Sequence, residues 1–343
     1  MHFVDSRVAL RHALSVAEQA VGLTDPNPRV GCVILAADGR QLGAGHTQPA
    51  GQAHAEVMAL RDAQAQGHDV RGATAIVTLE PCSHYGRTPP CCDALIKAGI
   101  ARVVVAVQDP NPQVAGQGIA RLRAAGIAVD LADADLADAA RELNIGFFSR
   151  MQRGQPFVRL KSAVSLDGRT ALPDGRSQWI TGDAARADGH AWRKRAGAVL
   201  TGIGTVLADD PRLDVRLVPT ARQPLRLVLD PRGRMPPAAR ILQPPGETRV
   251  IGAGRANLPA LLAELGGQGI NELHVEAGPT LSGAFLDAGL VDELLIYQAP
   301  LLIGHGRPLA ALQPLTGLDQ AQRWRLVEAT PVGPDLRLRL RPT

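Results

Sequence analysis

Aromatic side chains are scarce in this chain, with five Phe, three Trp and two Tyr among 343 residues. A stacking platform for single-stranded nucleic acid needs several such rings along one groove, so that class is disfavoured. Lysine is scarcer still: Lys97, Lys161 and Lys194 are the only three among 37 basic residues. The arginine and alanine excess reads as genomic base composition rather than as a functional patch. Four cysteines are too few for a disulfide scaffold. No apolar run reaches the roughly 18 residues that a membrane span requires. The N-terminal stretch spaces Leu10, Leu14, Ala17 and Val21 as one helix face, without the unbroken apolar core of a signal peptide or anchor. A cytoplasmic protein with reduced thiols is the expectation. Internal repeats and low-complexity tracts are also missing, and at 45% hydrophobic and 20% charged residues the chain is neither disordered nor a coiled coil.

What remains is a chain long enough for two ordinary domains. Charge divides unevenly between its halves. Residues 1–150 carry 13 basic and 15 acidic side chains, whereas residues 151–343 carry 24 and 18. The second half is therefore the better host for an anionic ligand. Short Val/Ile/Leu-rich runs at 30–36, 75–79, 102–107 and 127–131 read as strands apolar on both faces. They alternate with helical patterns at 55–66, 92–98, 119–125 and 133–143, which predicts a layered α/β domain. Gly154 and Pro156 punctuate a change of character, and the domains are drawn as 1–145 and 146–343. A second α/β series follows, with strands at 157–163, 198–201, 225–229, 250–251 and 272–275, and a C-terminal hairpin turning at Gly333-Pro334-Asp335.

The sharpest local signal is His54-Ala55-Glu56, followed by Pro81-Cys82 and Pro90-Cys91. One imidazole and two thiolates form a three-ligand set that leaves a fourth position for water, as in catalytic rather than structural zinc. Predicted helices begin directly after His54 and Cys91. Unpaired amides and the helix dipole would favour thiolate over thiol there. Glu56 need not bind metal; at a helix start it can take a proton from the attacking water and deliver it to a leaving amine. Zinc deaminases follow this logic with an H-x-E…P-C-x-x-C pattern, but here eight residues separate Cys82 from Cys91. That polar insert reads as a loop lining a substrate pocket. Cys92 is an alternative ligand to Cys91, although the repeated Pro-Cys step favours Cys91. Cys32 reads as core, and His46 and His84 are either pocket residues or solvated loop histidines.

The second half says less by itself. It holds no complete G-x-G-x-x-G: Gly202-Ile203-Gly204 has no third glycine, and Gly252-Ala253-Gly254 is followed by Asn257. The stretch from Glu276 to Ala284 follows a strand and opens a helix, so its amides either cradle a phosphate or form an ordinary strand-to-helix turn.

Several stretches carry a resemblance. TDPNPRVGCVI, GQAHAEVMAL, TLEPCSHYGRTPPC and the KAGI that follows closely resemble the deaminase of riboflavin biosynthesis, a cytidine-deaminase-like three-layer α/β/α fold. VRLKSAVSLDGRTAL, SQWITGDAARAD, LTGIGTVLADDPRL, PLRLVLD and HVEAGPTLSGAFLDAGLVDELLIY resemble its fused pyrimidine reductase, a dihydrofolate-reductase-like α/β domain. The likeness spans essentially the whole chain in the same order, and the eight-residue spacing belongs to that family. Met58 departs from it, standing where the family often has His.

The resemblance implies a bifunctional enzyme that deaminates a diaminopyrimidinone ribosyl-phosphate with one zinc and then reduces the ribosyl group with NADPH. It implies zinc on His54, Cys82 and Cys91, proton transfer by Glu56, and a pyrimidine contact by Asn27, otherwise a turn residue between two prolines. It implies NADPH at Ala163, Trp179, Thr205, Asp209 and the turn Gly278, Pro279, Thr280, Leu281, Ser282, Gly283 and Ala284. Implied substrate contacts are Ser177, Arg193, Leu213, Arg216 and Glu276. The two arginines make sense as partners of a 5-phosphate, since guanidinium matches phosphate oxygens bidentately. A phosphorylated pyrimidine is the expected small-molecule partner, with neither nucleic acid nor membrane, and a homo-oligomer (dimer or tetramer) the expected assembly.

Two rival readings are weighed against this one. A nucleic-acid base deaminase predicts the short Cys-x-x-Cys spacing and a basic, aromatic-bearing first half, whereas this half is net negative. A structural zinc module fused to a binding domain needs a fourth protein ligand, and leaves Glu56 without a role.

Overall fold

The computed structural model describes residues 1–343 except 87, 88, 113 and 253–256. These residues form two compact units, Met1–Gly154 and Gln155–Thr343. The boundary drawn from sequence at 145/146 is corrected by the helix at Ile145–Arg153, which belongs to the first unit. Its Phe147 lies in that unit's core, and its Arg150 donates to the Pro26 carbonyl at 2.8 Å. Just before it, the Asn144 side-chain amide exchanges two hydrogen bonds with the Arg29 backbone at 2.7 and 2.9 Å.

The first unit runs α1 (Ser6–Glu18), β1 (Gly31–Leu35), β2 (Gln41–His46), α2 (Ala55–Ala65), β3 (Thr74–Val77), α3 (Cys91–Lys97), β4 (Arg102–Val105), α4 (Gln117–Ala124), β5 (Ala128–Leu131), α5 (Ala134–Leu143) and α6 (Ile145–Arg153). Its sheet has the order β2-β1-β3-β4-β5. β1 is antiparallel to both its neighbours, and β3, β4 and β5 are parallel. α1 and α5 pack together, and α2, α3 and α4 lie side by side, with α2 on β2 and β1. Strand β2 escapes a reading by hydrophobic pattern because its sequence is QLGAGH. The glycines serve packing: a Cβ on Gly43 would lie 2.3 Å from the Ala59 carbonyl oxygen, and one on Gly45 would lie 2.5 Å from Met58 Cβ. Helix α2 thus rests directly on the backbone of β2, held by Ala59 and Ala63, both fully buried.

The second unit runs β6 (Phe157–Val164), β7 (Arg169–Ala171), α7 (Asp183–Arg195), β8 (Ala198–Gly202), α8 (Ile203–Asp209), β9 (Leu225–Leu229), β10 (Thr248–Ile251), α9 (Leu258–Gly267), β11 (Glu272–Val275), α10 (Pro279–Asp287), β12 (Glu293–Gln298), β13 (Arg307–Pro308), β14 (Trp324–Val332) and β15 (Asp335–Pro342). The sheet order is β10-β9-β8-β11-β6-β12-β15-β14. The first six of these strands are parallel, and the C-terminal hairpin adds two antiparallel ones. On one face Leu160, Leu200, Leu273 and Val275 pack against Leu262, Leu265 and Phe285 of α9 and α10. Because side chains alternate along a strand, the intervening residues Arg159, Lys161, Glu272, His274 and Glu276 share the other face. That face is charged yet mostly buried.

Glycine at position 43 is required by the close approach of α2. Gly43→Ala should destabilise the first unit by about 1–3 kcal/mol through overpacking, measured by urea unfolding followed by far-UV circular dichroism. An unchanged midpoint would mean that α2 has room to move away.

Candidate active sites

In the first unit, three chain segments converge. His54 is the extended N-cap of α2, Cys91 opens α3 behind Pro90, and Cys82 follows β3. His54 Nδ1 stands 3.6 Å from Cys82 Sγ and 3.3 Å from Cys91 Sγ. The three donor atoms all lie within 4.8 Å of one another. Zn–S bonds near 2.3 Å and Zn–N bonds near 2.0 Å in a tetrahedron put such N···S edges at about 3.5 Å, so the donor set fits zinc in both chemistry and spacing. The Cys91 N–H donates to Cys82 Sγ at 3.3 Å, a helix-start amide aimed at sulfur. The Cys91 thiol and then His54 hold Cys82 down at about 4 against its burial. Cys91 is the thiol pushed up, by its bond to Cys82 and by burial.

Glu56, in the first turn of α2, is 3% exposed. Burial, with the charge of Cys82 adding to it, pushes its carboxyl up to about 7, and it interacts with Cys91. A carboxyl poised there suits both accepting and returning a proton. Cys92 turns away from the donors: its thiol donates to the Pro81 and Gly118 carbonyls at 3.3 and 3.5 Å. Cys32 is wholly buried in β1. His46 is half-buried at the end of β2 and His84 is exposed. Asn27 sits in a turn closed by its own N–H to the Thr24 carbonyl at 2.9 Å. The cysteine-spacing insert is described except for Arg87 and Thr88, which lie outside the described residues, as does the Ala253-Gly254 part of the second glycine pair.

A residue that the sequence reading passed over is Glu80, 3% exposed beside Pro81. Its carboxylate accepts the N–H groups of Asp109, Gly116 and Ile119 at 3.2, 2.9 and 3.1 Å. An acidic residue closing a buried strand was the available signal.

In the second unit, Arg193 and Glu276 form a bidentate pair; Nε donates to one carboxylate oxygen, and Nη2 donates to the other at 2.9 Å. Lys161 Nζ and His274 Nε2 stand 3.6 and 3.5 Å from the same carboxylate. Burial opposes the charge on Glu276, but Arg193 and Lys161 outweigh it and hold the group well below the usual range. Arg193 also donates to the Asp214 carbonyl at 3.2 Å, so its guanidinium is largely committed within the protein. Arg216 is freer: its side chain is 44% exposed and pairs with Asp214 at 2.6 Å. Its backbone N–H donates to His190 Nδ1 at 3.1 Å, and burial, then Arg193, lowers that imidazole to about 4. Leu213 has a left-handed backbone at φ 51° and a buried side chain packed with Val199, Ile203 and Val206.

Two further pairs come together. The Ser177 hydroxyl donates to Asp209 at 3.3 Å, and the Gly278 N–H donates to Thr205 Oγ1 at 3.2 Å. Trp179 is 63% exposed, with Arg186 stacked 4.6 Å over its ring. Ala163 pairs with Tyr297 in the β6–β12 register. Within the turn, Thr280 is exposed, Gly278, Pro279 and Ala284 are half-buried, and Leu281, Ser282 and Gly283 are buried. A Cβ on Gly283 would lie 2.2 Å from the Ala311 carbonyl oxygen, so this glycine is needed for chain packing. The outward part of the turn is Gly278–Thr280.

These arrangements define a class: a zinc-type deaminase unit followed by an α/β reductase unit. The profile of the cytidine and deoxycytidylate deaminase zinc-binding region matches residues 5–107, and that of the RibD C-terminal domain matches residues 156–338. Riboflavin biosynthesis protein RibD of Escherichia coli K12 is 48% identical, aligned over 96% of this chain and 98% of its own; that of Haemophilus influenzae is 44% identical over 98% and 97%. The structure of Acinetobacter baumannii RibD (form 1) superposes with a TM-score of 0.90 at 45% identity, covering 98% of this chain and 99% of that one. A Thermotoga maritima diaminohydroxyphosphoribosylaminopyrimidine deaminase/5-amino-6-(5-phosphoribosylamino)uracil reductase gives 0.89 at 32%, with the same coverage. The chain belongs to the RibD family of bifunctional riboflavin-biosynthesis enzymes, which implies zinc in the first unit and a nicotinamide cofactor in the second. Among the described residues, no helix is long and apolar enough to cross a membrane.

The charged sheet face has a consequence for acid stability. Arg159, 1% exposed, bridges Glu272 at 2.7 Å and Glu293 at 2.6 Å, with the Trp192 ring 4.4 Å from its guanidinium. Burial disfavours the charge on Glu293, but Arg159 and Arg339 outweigh it and hold the carboxyl at about 2, against an ordinary 4.5. A lowered native value makes this stabilisation complete above the ordinary value and lost as pH falls through the native one. The urea midpoint of the second unit should therefore fall between pH 4.5 and 2. Fluorescence reports it selectively, since Trp179, Trp192 and Trp324 all lie in that unit. A midpoint flat over this range would remove Glu293 from the balance.

Proposed function

We propose that the chain catalyses two consecutive steps of riboflavin biosynthesis. The first is hydrolytic deamination of 2,5-diamino-6-(5-phosphoribosylamino)pyrimidin-4(3H)-one. The second is NADPH-dependent reduction of the ribosyl group to give 5-amino-6-(5-phosphoribitylamino)uracil. The observation that carries the reading is the set of three donor atoms within 4.8 Å with a buried carboxyl, Glu56, beside them.

In the first step, His54, Cys82 and Cys91 would hold one zinc ion. When bound, zinc supplies the Lewis acidity that makes water nucleophilic near neutral pH. Glu56 takes a proton from the water that adds to the amine-bearing ring carbon and returns it to the exocyclic nitrogen. The C–N bond then breaks, and ammonia leaves. Asn27 would fix the pyrimidine from a loop tied down by Asn144 and Arg150. Burial of Glu56 at a helix start keeps its proton transfer within the site.

In the second step, a bound nicotinamide would supply hydride chemistry at the ribosyl C1′, where the C1′–O4′ bond would open and O4′ would gain a proton. Gly278–Thr280, Thr205, Asp209, Ala163 and Trp179 would contact NADPH. Ser177, Leu213 and Arg216 would contact substrate, with Arg216 the phosphate partner and Leu213 offering its backbone. Arg193 and Glu276 would present one paired surface to the ribosyl group. The reading includes a cytoplasmic setting, with which the free thiols agree. It also includes a homo-oligomer, which would cover the open edge of β14 and its exposed Leu326; sedimentation velocity measures that state.

Glu56→Gln should retain zinc by elemental analysis and release no ammonia, while still oxidising NADPH with the deaminated substrate. Normal ammonia release from a zinc-loaded variant would remove Glu56 from the mechanism. Arg216→Met should raise the reductase KM by about 10–100-fold, the loss of one charged hydrogen-bonding partner. A dephosphorylated substrate should show no such penalty; an equal loss on both substrates would reject the phosphate assignment.

A further inference from the structure

Three backbone carbonyls of the strip carrying Cys82 are each held from a neighbouring helix. The Pro81 carbonyl accepts the Cys92 thiol of α3 at 3.3 Å. The Cys82 carbonyl accepts the Cys92 N–H at 3.2 Å. The Ser83 carbonyl accepts Arg121 Nη1 of α4 at 3.0 Å, and Arg121 also pairs with Asp93 of α3 at 2.5 Å. Helix α4 lies so close to this strip that a Cβ on Gly118 would sit 2.0 Å from the Pro81 carbonyl oxygen. What fixes α4 there is Glu80. Its carboxylate accepts the N–H of Gly116, the N-cap, and of Ile119 in the first turn of α4. It also accepts the N–H of Asp109, at the head of the segment leading into that helix. Glu80 itself is anchored by its own N–H to the Val107 carbonyl at 2.9 Å, which leaves α4 little freedom to slide along the sheet.

We infer that Glu80 is a positioning residue for zinc retention: by capping α4 it locks the 81–83 strip, and with it Cys82, in the geometry that completes the donor set. Its carboxylate hydrogen bonds go to backbone N–H groups and to none of the three donor atoms. Its action is on how often Cys82 swings away, which sets the rate at which a bound ion escapes. The inference rests on the zinc site proposed above. A glutamine in its place keeps the size but replaces one acceptor oxygen by an N–H₂ group that faces a backbone N–H, so at least one of the three bonds is lost.

The full-length chain, loaded with zinc and desalted, is exposed to excess EDTA, and residual zinc is followed by atomic emission. Glu80→Gln should release zinc about 10–100-fold faster than the parent, the range seen when outer-shell partners of metal ligands are removed. Its far-UV circular dichroism spectrum should match the parent's and its urea transition should stay cooperative, which shows a folded first unit. Its NADPH-dependent reductase rate, a property of the second unit, should be unchanged. Val104→Ala, a cavity in the same sheet away from the strip, is compared at a temperature where the two variants have lost the same stability. If it releases zinc as fast as Glu80→Gln, the effect is general loosening and the inference is overturned. An unchanged release rate in folded Glu80→Gln overturns it as well. A parent chain that takes up no zinc instead defeats the zinc site itself, a distinct outcome. Should Glu80→Gln fail to fold, Arg121→Met removes the hold on the Ser83 carbonyl and the pair with Asp93 while leaving Glu80 and its three bonds in place; several-fold faster release supports the mechanism, and an unchanged rate overturns it.

Discussion

Holding two thiols and an imidazole within 4.8 Å of one another is the constraint around which the first unit is built. Sulfur atoms that close repel once ionised, so the fold must supply positive potential and hold three segments rigidly. Both needs are met at helix starts. The opening amide of α3 points at Cys82 Sγ, and His54 caps α2 with an extended backbone. The approach then depends on thickness. Helix α2 reaches the sheet only because β2 carries glycines where a methyl group would strike Ala59 or Met58. Residues with no chemistry of their own therefore fix the distance between His54 and the two sulfurs.

This explains which parts could be read from the chain. His54, Glu56, Cys82 and Cys91 sit at the ends of elements, within one stretch of sequence, next to Pro, Gly or a helix start. Local chemistry is visible there, and the fold class follows from alternating apolar runs. Strand β2 was invisible because QLGAGH has the composition of a turn; tertiary packing overrides propensity at that position. Gly154 and Pro156 mark the far end of helix α6, so a boundary drawn at 145/146 falls one helix too early. Glu80 left no periodic signal, because its partners are backbone N–H groups about 30 to 40 residues away, a distance no local pattern records.

The second unit hides its site for a different reason. Its charged face is assembled from alternate residues of β6, β11, β12 and β15, whose ion pairs join residues distant in sequence. Arg159 meets Glu272 and Glu293 across more than a hundred residues. The stretch from Glu276 to Ala284 reads as either a phosphate cradle or an ordinary strand-to-helix turn, and its buried half serves packing. Leu281 and Phe285 enter the apolar core, and Gly283 admits the Ala311 backbone. Of the stretch that the resemblance implies, Leu281, Ser282 and Gly283 are buried, and only Thr280 is exposed.

The Arg193–Glu276 pair sets the terms on which this face can work. Removing two charges from water costs several kcal/mol, and their attraction offsets that only when the geometry is good and further hydrogen bonds are made. Here Glu276 gathers Arg193, Lys161 and His274, and Arg193 adds the Asp214 carbonyl. A pair so committed is a poor first partner for an incoming dianion, since binding would have to break bonds already made. Arg216, half-exposed and anchored by one carboxylate oxygen, can turn toward a phosphate at far smaller cost. On the proposed reading the division follows from exposure: the mostly enclosed Arg193 would orient, and the exposed Arg216 would recruit. Asp214 joins the two arginines, with its backbone carbonyl on Arg193 and its side chain on Arg216. Leu213, held left-handed beside Asp214, carries about 1–3 kcal/mol of backbone strain, which its buried side chain offsets by packing with Val199, Ile203 and Val206.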